Sequence, residues 1–202
     1  MFLFGNYFTF SEILKMAYST IITRLFYPKA LLIRRPFYLR GKPRFQYGSG
    51  FTTGYNCRIE IFAEKGDKSK KLILGKDCKI GDNVHLAASE SVIIGDNCLM
   101  ASKIYISDTS HGIYSGEVNI STPFEHPESR TLVTSPVKIG NNVWIGENAV
   151  ILSGVTIGDG CIIGANSVVT KSIPANSIVA GAPAKVIKQY NEATGNWEAI
   201  GK

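Results

Sequence analysis

An aliphatic residue recurs at every sixth position over long stretches of this chain of 202 residues. The longest unbroken series is Ile139, Ile145, Ile151, Ile157, Ile163 and Val169. The same interval occurs earlier, at Ile59, Leu74, Ile80, Leu86, Ile94, Met100 and Ile106. A period of six matches neither the period of about 3.6 of an α-helix nor the two-residue alternation of an amphipathic strand. The interval therefore predicts a repeat fold and not an ordinary helical or sheet domain.

The repeat suits an all-β solenoid in which each hexapeptide forms one short strand. Three hexapeptides would form one triangular coil of 18 residues, and stacked coils would bury a continuous core. We expect the aliphatic side chain to point inward and the glycine that follows it to permit the turn at the corner. A small or apolar residue lies four positions after each aliphatic residue. All four cysteines occupy such positions, which predicts small buried side chains and no redox or metal role. They are Cys57, Cys78, Cys98 and Cys161.

Three interruptions of the six-residue period mark loops. Residues 64–71, "EKGDKSKK", read as a charged turn, and residues 91–93 add only two positions. The gap after His111 is the largest, because residues 112–138 contain three prolines and no sustained period. Long loops in compact proteins are usually functional or disordered. The segment 112–138 is therefore the first place to look for a functional site.

The segments that flank the repeat differ from it, which divides the chain into a cap at 1–44, a β-helix at 45–183 and a C-terminal tail at 184–202. Residues 9–27 predict an amphipathic helix with Thr9 or Ser11 as N-cap. We expect its apolar stripe to plug the open end of the solenoid, with a membrane surface or a partner as the alternative. The tail is expected to end as a short strand and a helix. The stripe consists of Phe10, Ile13, Leu14, Ala17, Ile21 and Leu25.

The positive charge is concentrated at the N-terminus. Residues 1–44 hold eight basic residues against Glu12 alone, a net charge of +7, while the whole chain carries +6. This distribution favours an anionic surface or ligand. No apolar run is long enough for a transmembrane helix, and the first residues lack the features of a signal peptide. We expect a cytoplasmic protein without a nucleic-acid partner. Peripheral contact of residues 1–44 with the inner membrane surface remains open.

Two stretches carry a resemblance to a known family. They are "ISDTSHG" at 106–112 and "KIGNNVWIGENAVILSGVTIGDGCIIGANSVVTKSIPANSIVAGAPAKVIK" at 138–188. Residues 45–190 resemble the hexapeptide-repeat acyltransferases, especially the sugar O-acetyltransferases of lipopolysaccharide and capsule synthesis and the maltose and galactoside acetyltransferases. The resemblance implies a left-handed parallel β-helix, although chirality rules alone favour a right-handed crossover. It also implies a homotrimer with acetyl-CoA bound between neighbouring solenoids and a sugar or glycan precursor as acceptor.

His111 is the candidate general base. Acetyl transfer to a sugar hydroxyl requires removal of the hydroxyl proton, and a neutral imidazole suits this step because histidine ordinarily titrates near pH ~6.5. His111 also aligns with the general base of similar enzymes. A second group is expected to fix the tautomer of the ring. Asp108, a backbone carbonyl or Glu125 could do so, and Asp108 is the residue we assign. The stretch "HLAASES" lacks the asparagine that helps bind the acceptor in the galactoside and maltose enzymes.

The resemblance also assigns the donor site. Trp144 matches a tryptophan that lines the cleft in relatives, although a trimer contact is an alternative. Small residues would let the pantetheine arm lie along the backbone, and lysines would meet the phosphates as point charges. We expect no metal. The assigned residues besides Trp144 are Gly146, Ala165, Thr170, Lys171, Lys185 and Lys188.

Two rival functions remain open. The γ-class carbonic anhydrases share this fold and bind zinc through three histidines, and this chain has three histidines. Two of their ligands lie five residues apart, however, whereas His111 and His126 are fifteen apart. We expect His85 to be a surface residue of the coil and His126 to be exposed. The other rival is a β-helix without catalytic activity that serves as a scaffold or binding module.

Overall fold

The structure is a computed structural model that describes residues 8–114, 116 and 118–200. The described residues form one α-helix, two short 3-10 helices and 22 strands. The helices are α1 (Phe10–Phe26), Lys42–Arg44 and Pro127–Ser129. The strands are β1 (Ala30–Ile33), β2 (Phe37–Arg40), β3 (Phe45–Tyr47), β4 (Phe51–Thr53), β5 (Cys57–Ile61), β6 (Leu72–Leu74), β7 (Lys79–Ile80), β8 (His85–Ala88), β9 (Val92–Ile94), β10 (Leu99–Met100), β11 (Tyr105–Ser107), β12 (Thr109–His111), β13 (Leu132–Thr134), β14 (Val137–Ile139), β15 (Trp144–Ile145), β16 (Val150–Ile151), β17 (Thr156–Ile157), β18 (Ile162–Ile163), β19 (Val168–Val169), β20 (Ser177–Gly181), β21 (Ala184–Asn191) and β22 (Asn196–Ala199).

Successive strands of the coil belong to three different sheets in turn, as the repeat predicts. The first sheet runs β1-β4-β7-β10-β15-β18-β20, the second β2-β5-β8-β11-β16-β19 and the third β3-β6-β9-β14-β17. Strands within these three series pair in parallel. Each coil therefore contributes one strand to each of three faces of a triangular prism.

The register confirms a coil of 18 residues in the C-terminal half. Ile139 pairs with Ile157, and Ile145 pairs with Ile163. Every aliphatic residue of the six-residue series is buried, from Ile59 to Val169. One continuous apolar core runs through the coils. Burying side chains of this size contributes about 1.5–3 kcal/mol each, which is why a coil becomes stable only when it is stacked on another.

The glycines that follow the buried aliphatic residues have a different role from the one expected. Gly140, Gly146, Gly158 and Gly164 do not have positive φ; asparagines such as Asn148 occupy the left-handed positions at the corners, with φ of 64°. Asparagine visits this region more readily than most residues. A Cβ atom at Gly146 would lie 2.7 Å from the backbone nitrogen of Ala165 in the next coil. These glycines are therefore needed for close stacking, and the expected turn-forming role is wrong.

The four cysteines are buried, as predicted, and none of them forms a disulfide. The Cys57 thiol lies 3.0 Å from the carbonyl oxygen of Gly81 in the neighbouring coil. Burial raises the pKa of Cys57 to about 11. Burial also raises the pKa of Cys161. These two thiols remain protonated near neutral pH and act as small core side chains.

The N-terminal helix forms where the sequence predicts it, but the opposite face is buried. Thr9 caps α1 in a capping box with Glu12. The buried helix residues are Ser19 and Thr23, and the Thr23 hydroxyl accepts a hydrogen bond from the backbone N–H of Ile33 at 2.9 Å. The predicted apolar stripe is exposed along its whole length. The expectation that the stripe plugs the solenoid is therefore wrong.

Aromatic side chains fill the first coil instead. Tyr27, Phe37, Phe45 and Phe51 are all buried and belong to the continuous core. The rings of Tyr27 and Phe37 meet edge to face with centroids 6.0 Å apart, and those of Phe45 and Phe51 are 5.9 Å apart. Edge-to-face contacts are a favoured geometry for aromatic pairs. The N-terminal end of the core is thus closed by aromatic rings.

Both ends of the β-helix differ in detail from the predicted boundaries. β1 and β2 already pair in the first and second sheets, so the parallel strands begin at Ala30, inside the segment 1–44. After β20 the chain reverses, and β21 pairs antiparallel with β20 and with β22. The tail through residue 200 is therefore a β-hairpin, and the predicted C-terminal helix is wrong. Among residues 8–114, 116 and 118–200, no helix has the length and apolar content needed to cross a membrane.

Candidate functional site

The long interruption leaves the β-helix as a two-stranded hairpin. It begins after β11 in the second sheet and returns at β14 in the third sheet, so it replaces one corner of the coil. β12 and β13 pair antiparallel at its base, with His111 opposite Leu132 and Thr109 opposite Thr134. Directly opposed side chains of an antiparallel pair lie on the same face. His111, Thr109, Leu132 and Thr134 therefore share one face of this hairpin.

The backbone of His111 is held by a hydrogen bond to its carbonyl oxygen, whereas its side chain is exposed. The Tyr114 hydroxyl donates to the His111 carbonyl oxygen at 2.6 Å, and Arg130 donates to the Tyr114 hydroxyl oxygen at 2.9 Å. Gly112, the next residue, has a φ of +101° that other residues adopt only with strain. His111 is exposed, and within the described part of the chain its ring has no hydrogen-bond partner. The ring nitrogens are thus available to a ligand.

Asp108 lies near His111 in sequence, but its carboxylate is used elsewhere. Asp108 is fully buried and accepts hydrogen bonds from the backbone N–H groups of Ser89, Glu90 and Ser91 at 2.8–3.1 Å. Among the described residues, its hydrogen bonds run to this turn and not to His111. The Asp108 carboxylate therefore attaches the segment between β11 and β14, residues 108–136 (the excursion), to the preceding coil.

Glu125, the other carboxylate considered for orienting the ring, also has a local role. Its carboxylate accepts a hydrogen bond from the backbone N–H of Thr122 at 2.9 Å. Its carbonyl oxygen accepts one from Arg130 at 3.2 Å. Glu125 thus organises the loop that carries it.

The three interruptions of the repeat lie at one corner of the prism. Residues 62–71 connect β5 to β6, residues 89–91 connect β8 to β9, and residues 108–136 connect β11 to β14. Each connection runs from the second sheet to the third, in three consecutive coils. The insertions are therefore stacked on one another. Together they build a surface that no single coil provides.

A groove of about 640 Å³ lies at this corner. Leu132 and Thr134 line it from the hairpin face that carries His111, and the Thr134 hydroxyl donates to the Glu90 carboxylate at 2.7 Å. The six-residue period alone does not predict this groove, although the charged residues that line it fall in the interruptions of the repeat. Larger cavities of about 810, 810 and 670 Å³ lie along α1 and the first coils, and His111 lines none of them. The lining residues of the corner groove are Phe62, Ala63, Glu64, Asp67, Lys71, Ser89, Glu90, Leu132 and Thr134.

The residues expected to bind the donor fall into two groups. Gly146 and Ala165 follow β15 and β18, so they are stacked at the corner between the first and second sheets. The second group consists of Thr170 and Lys171, which follow β19, and of Lys185 and Lys188 in β21. In the antiparallel pair of β20 and β21, Lys185 lies opposite Ala180 and Lys188 lies opposite Ile178. All four side chains are exposed. The second group belongs to the last coil and its hairpin.

The three lysines of this second group suit an anionic ligand. Lys171, Lys185 and Lys188 are exposed, and none forms an ion pair among residues 8–114, 116 and 118–200. An ammonium group on a flexible chain binds phosphate as a compact point charge. This end of the solenoid could therefore bind a phosphorylated donor.

Trp144 does not approach His111 within one chain. It lies in β15 on the outer face of the first sheet, half exposed at 50%, between Leu99 and Ile162 of the neighbouring strands. His111 projects from the corner between the second and third sheets. In a triangular prism, that corner is opposite the face formed by the first sheet. Within one chain, the two residues therefore lie on different sides of the prism.

His85 belongs to a cluster of charged residues on the outer face of the second sheet. One ring nitrogen, Nε2, lies 3.0 Å from the Glu60 carboxylate, and the other, Nδ1, lies 3.0 Å from the Arg58 guanidinium. Arg40 forms a 2.6 Å ion pair with Glu60, which is only 8% exposed. Burial, followed by the charge of Arg58, lowers the pKa of His85 below its ordinary value. His85 is half-buried in this cluster.

The lowered pKa of His85 predicts that stability decreases in mild acid. Between the folded-state pKa and the ordinary value near 6.5, the unfolded chain binds more protons, so the free energy of unfolding rises with pH. The contribution of His85 to the free energy of unfolding is fully present above pH ~6.5 and is lost as the pH falls toward the folded-state pKa of His85. Urea unfolding between pH 7.5 and about 5 should show a smaller pH dependence in His85→Gln than in the wild type. His126→Gln is the control, and equal slopes for wild type and His85→Gln would contradict the prediction.

The remaining histidine lies in the excursion. His126 is exposed, and its carbonyl oxygen accepts hydrogen bonds from the backbone N–H and the hydroxyl of Ser129 at the 3-10 turn Pro127–Ser129. Over the part of the chain that the structure describes, no three His, Cys, Asp or Glu residues form a group that could hold a metal ion.

Comparison with known proteins gives matches along most of the chain. The bacterial transferase hexapeptide (six repeats) family matches residues 136–171, and the hexapeptide repeat of succinyl-transferase matches residues 71–107. A protein of Escherichia coli K12, named as a lipopolysaccharide biosynthesis O-acetyl transferase, WbbJ, is 40% identical over 185 residues, 92% of each chain. The galactoside O-acetyltransferase of Escherichia coli K12 is 39% identical over 143 residues, which are 70% of this chain and 64% of that protein.

Solved structures agree with this result. A galactoside acetyltransferase in complex with coenzyme A has a TM-score of 0.52 at 29% identity, covering 93% of this chain and 76% of that one. A variant of AntD, an N-acyltransferase from Bacillus cereus in complex with dTDP and coenzyme A, has a TM-score of 0.67 and covers 94% of both chains. At 18% identity, AntD supports the fold alone. From its repeat, its parallel three-sheet coil and its 40% identity to a relative over 92% of each chain, this chain belongs to the hexapeptide-repeat acetyltransferases, which are acyl-transfer enzymes.

Proposed function

We propose that this protein transfers an acetyl group from acetyl-CoA to a sugar hydroxyl of a lipopolysaccharide or capsule precursor, with His111 as general base. The observation that carries the proposal is the position of His111, whose free ring shares a hairpin face with the wall of the corner groove. The 40% identity to WbbJ over 92% of each chain supports the lipopolysaccharide context. The coil is taken to be left-handed, as in the family.

The proposed reaction requires one base that returns its proton. Acetyl-CoA supplies the activated acetyl thioester. A ring nitrogen of His111 removes the proton of the acceptor hydroxyl while its oxygen attacks the thioester carbonyl. The same proton then passes to the departing thiolate sulfur, so that an ester and free coenzyme A are formed. Base catalysis of this kind typically contributes about 10²–10⁴-fold to the rate.

A homotrimer would complete the site. Because Trp144 and His111 are on opposite sides of the prism, a neighbouring copy must bring its first sheet toward the excursion if both act on one substrate. The outer face of that sheet is suited to such a contact, since Leu99 and Trp144 are neighbours there and both are half exposed, at 49% and 50%. Gly146 and Ala165 leave the adjoining corner without bulky side chains, which fits the pantetheine arm. Thr170 and the three lysines of the last coil are proposed to bind the donor phosphates.

The corner groove is the proposed acceptor site. Its volume of about 640 Å³ lies within the range of small-molecule sites. Phe62 offers an aromatic ring, 51% exposed, on which the apolar face of a sugar could pack. The carboxylates of Glu64 and Glu90 can accept hydrogen bonds from sugar hydroxyls. This combination of an aromatic side chain with hydrogen-bond acceptors favours a neutral, polyhydroxylated acceptor.

The function is tested by measuring the release of free thiol from acetyl-CoA in the presence of free, nucleotide-linked and lipid-linked sugars. We expect turnover with at least one member of the panel and an acetyl ester in the product. Absence of turnover across the panel, together with absence of coenzyme A binding in calorimetry, would contradict the proposal.

Replacing Phe62 by alanine should weaken acceptor binding selectively. Loss of one packed aromatic ring, worth about 0.5–1.5 kcal/mol beyond its area, should raise the KM for the acceptor by about tenfold and leave the KM for acetyl-CoA unchanged. Steady-state kinetics with each substrate varied in turn separates the two effects. Phe26→Ala is the matched control, because Phe26 is 56% exposed but lies on α1. An unchanged acceptor KM in Phe62→Ala would place the acceptor elsewhere.

A further inference from the structure

The N-terminal helix presents its apolar stripe to solvent. In α1, the side that packs on the coil is formed by Ser19 and Thr23, and Thr23 binds the backbone of β1. At about 100° per residue, the stripe is centred on the opposite side of the helix. The exposed fractions of its larger side chains are Phe10 76%, Ile13 49%, Leu14 54%, Ile21 59% and Leu25 67%. A helix that buries hydroxyls and exposes its apolar face marks an interaction surface.

Basic residues accompany this stripe. Lys15, Arg24 and Lys29 are exposed, and none forms an ion pair within residues 8–114, 116 and 118–200. The acidic residue of the helix, Glu12, is bonded to the N-cap Thr9. The stripe is therefore accompanied by unpaired positive charge. An apolar stripe with basic residues around it is typical of helices that lie in an anionic lipid interface.

A second copy of the chain would fit this surface less well. Residues 1–44 carry eight basic residues and one acidic residue. Two copies meeting through their helices would bring these like charges together, and like-charge contacts oppose association. An anionic lipid surface, in contrast, attracts the same charges.

We propose that α1 docks this protein on an anionic membrane, with the stripe at the boundary of headgroups and acyl chains. This placement, which rests on the function proposed above, also defines the acceptor class as a glycan carried by a membrane lipid. β11, which leads to His111, is three strand spacings from β2 in the second sheet, about 14 Å at ~4.8 Å per strand. This spacing is the axial separation between the first coil, on which α1 packs, and the coil that leads to His111. In the proposed arrangement, a lipid-linked glycan extends along the prism so that its hydroxyls enter the corner groove while its lipid stays in the bilayer.

Vesicle co-sedimentation of the full chain tests the proposal. The probes are vesicles of phosphatidylcholine alone and of phosphatidylcholine with phosphatidylglycerol. We expect the wild type to bind the anionic vesicles and to be released by high salt. The double variant Ile21→Glu and Leu25→Glu should bind at least tenfold more weakly. Ile200→Glu is the matched control, because Ile200 is 48% exposed on the C-terminal tail at the other end of the solenoid.

Circular dichroism, thermal unfolding, light scattering and thiol release accompany the vesicle assay. Circular dichroism and thermal unfolding must show that each variant is folded; if the double variant is not, Lys15→Gln with Arg24→Gln and Lys29→Gln replaces it, with weaker binding again expected. Equal vesicle binding of wild type and folded variants, or no binding of the wild type, would overturn the proposal. If the double variant had a lower molar mass than the wild type in light scattering and the wild type did not bind lipid, the stripe would be a contact with a second copy of the chain. That result would also overturn the membrane proposal. Thiol release with a water-soluble sugar should be unchanged, so failure of docking is distinguishable from failure of the enzymatic function.

Discussion

Replacing His111 by alanine is expected to lower kcat for acetyl transfer by about 10²–10⁴-fold, the range that general base catalysis supplies. The loss should appear in kcat and in kcat/KM alike, because the proton is removed only as the hydroxyl attacks. Affinity for acetyl-CoA, measured by calorimetry, should remain within about twofold, since the residues proposed to bind the donor lie on other coils. Thermal stability should also be unchanged, because the ring is exposed and makes no described hydrogen bond.

His126→Ala is the matched control for this experiment. Both histidines are exposed residues of the same excursion, but only His111 shares a hairpin face with Leu132 and Thr134 of the groove. We expect His126→Ala to retain wild-type activity. If His111→Ala also retained activity with a productive sugar acceptor, the base would have to be another group, and the proposed mechanism would be wrong.

Replacing Asp108 by alanine is expected to lower the free energy of unfolding by about 2–4 kcal/mol. The buried carboxylate accepts hydrogen bonds from three consecutive backbone N–H groups, and each donor left unsatisfied costs about 1–3 kcal/mol where water cannot replace the partner. In a protein of this size, the change corresponds to a Tm lower by about 4–16 °C. Urea unfolding monitored by circular dichroism measures it directly.

Two variants distinguish this structural role of Asp108 from a role in orienting His111. Asp108→Asn keeps one acceptor oxygen, so it should recover part of the stability. Glu125→Ala, in the same excursion, should cost less than 1 kcal/mol because Glu125 satisfies only one backbone N–H with its side chain. If Asp108→Ala were as stable as the wild type but had a shifted pH profile of kcat, our interpretation would be contradicted. Asp108 would then act by orienting the ring of His111.

The six-residue period was sufficient to predict the coil. It is a local pattern, and each inward position meets the same environment in every coil, so Ile139, Ile151 and Ile163 could be assigned to the core without knowing what surrounds them. The cysteines were assigned correctly for the same reason. The role of the glycines was not, because Gly146 is required by the backbone of the next coil, 2.7 Å from where its Cβ would lie. Contacts between coils are not visible in the spacing of one coil.

The flanking segments show the limit of periodicity. The pattern of α1 correctly predicted a helix and its N-cap, but it could not show which face the protein buries. The buried face is held by two hydrogen bonds between the Thr23 hydroxyl and the backbone of Ile33. Because the buried residues Ser19 and Thr23 are polar, they do not appear in the hydrophobic periodicity of the helix. At the other end, the antiparallel pairing of β21 with β20 depends on an exposed sheet edge, which the local sequence does not record.

Local spacing predicted the repeat, its buried positions and the location of each interruption, and family resemblance pointed to His111 as the candidate base. The stacking of the coils in three dimensions showed that the three interruptions share one corner and form a groove on the hairpin face that carries His111. It alone also placed Trp144 on the opposite face of the prism. The physical reason is that both facts depend on the register in which coils stack, and that register is set by packing between residues distant in the chain.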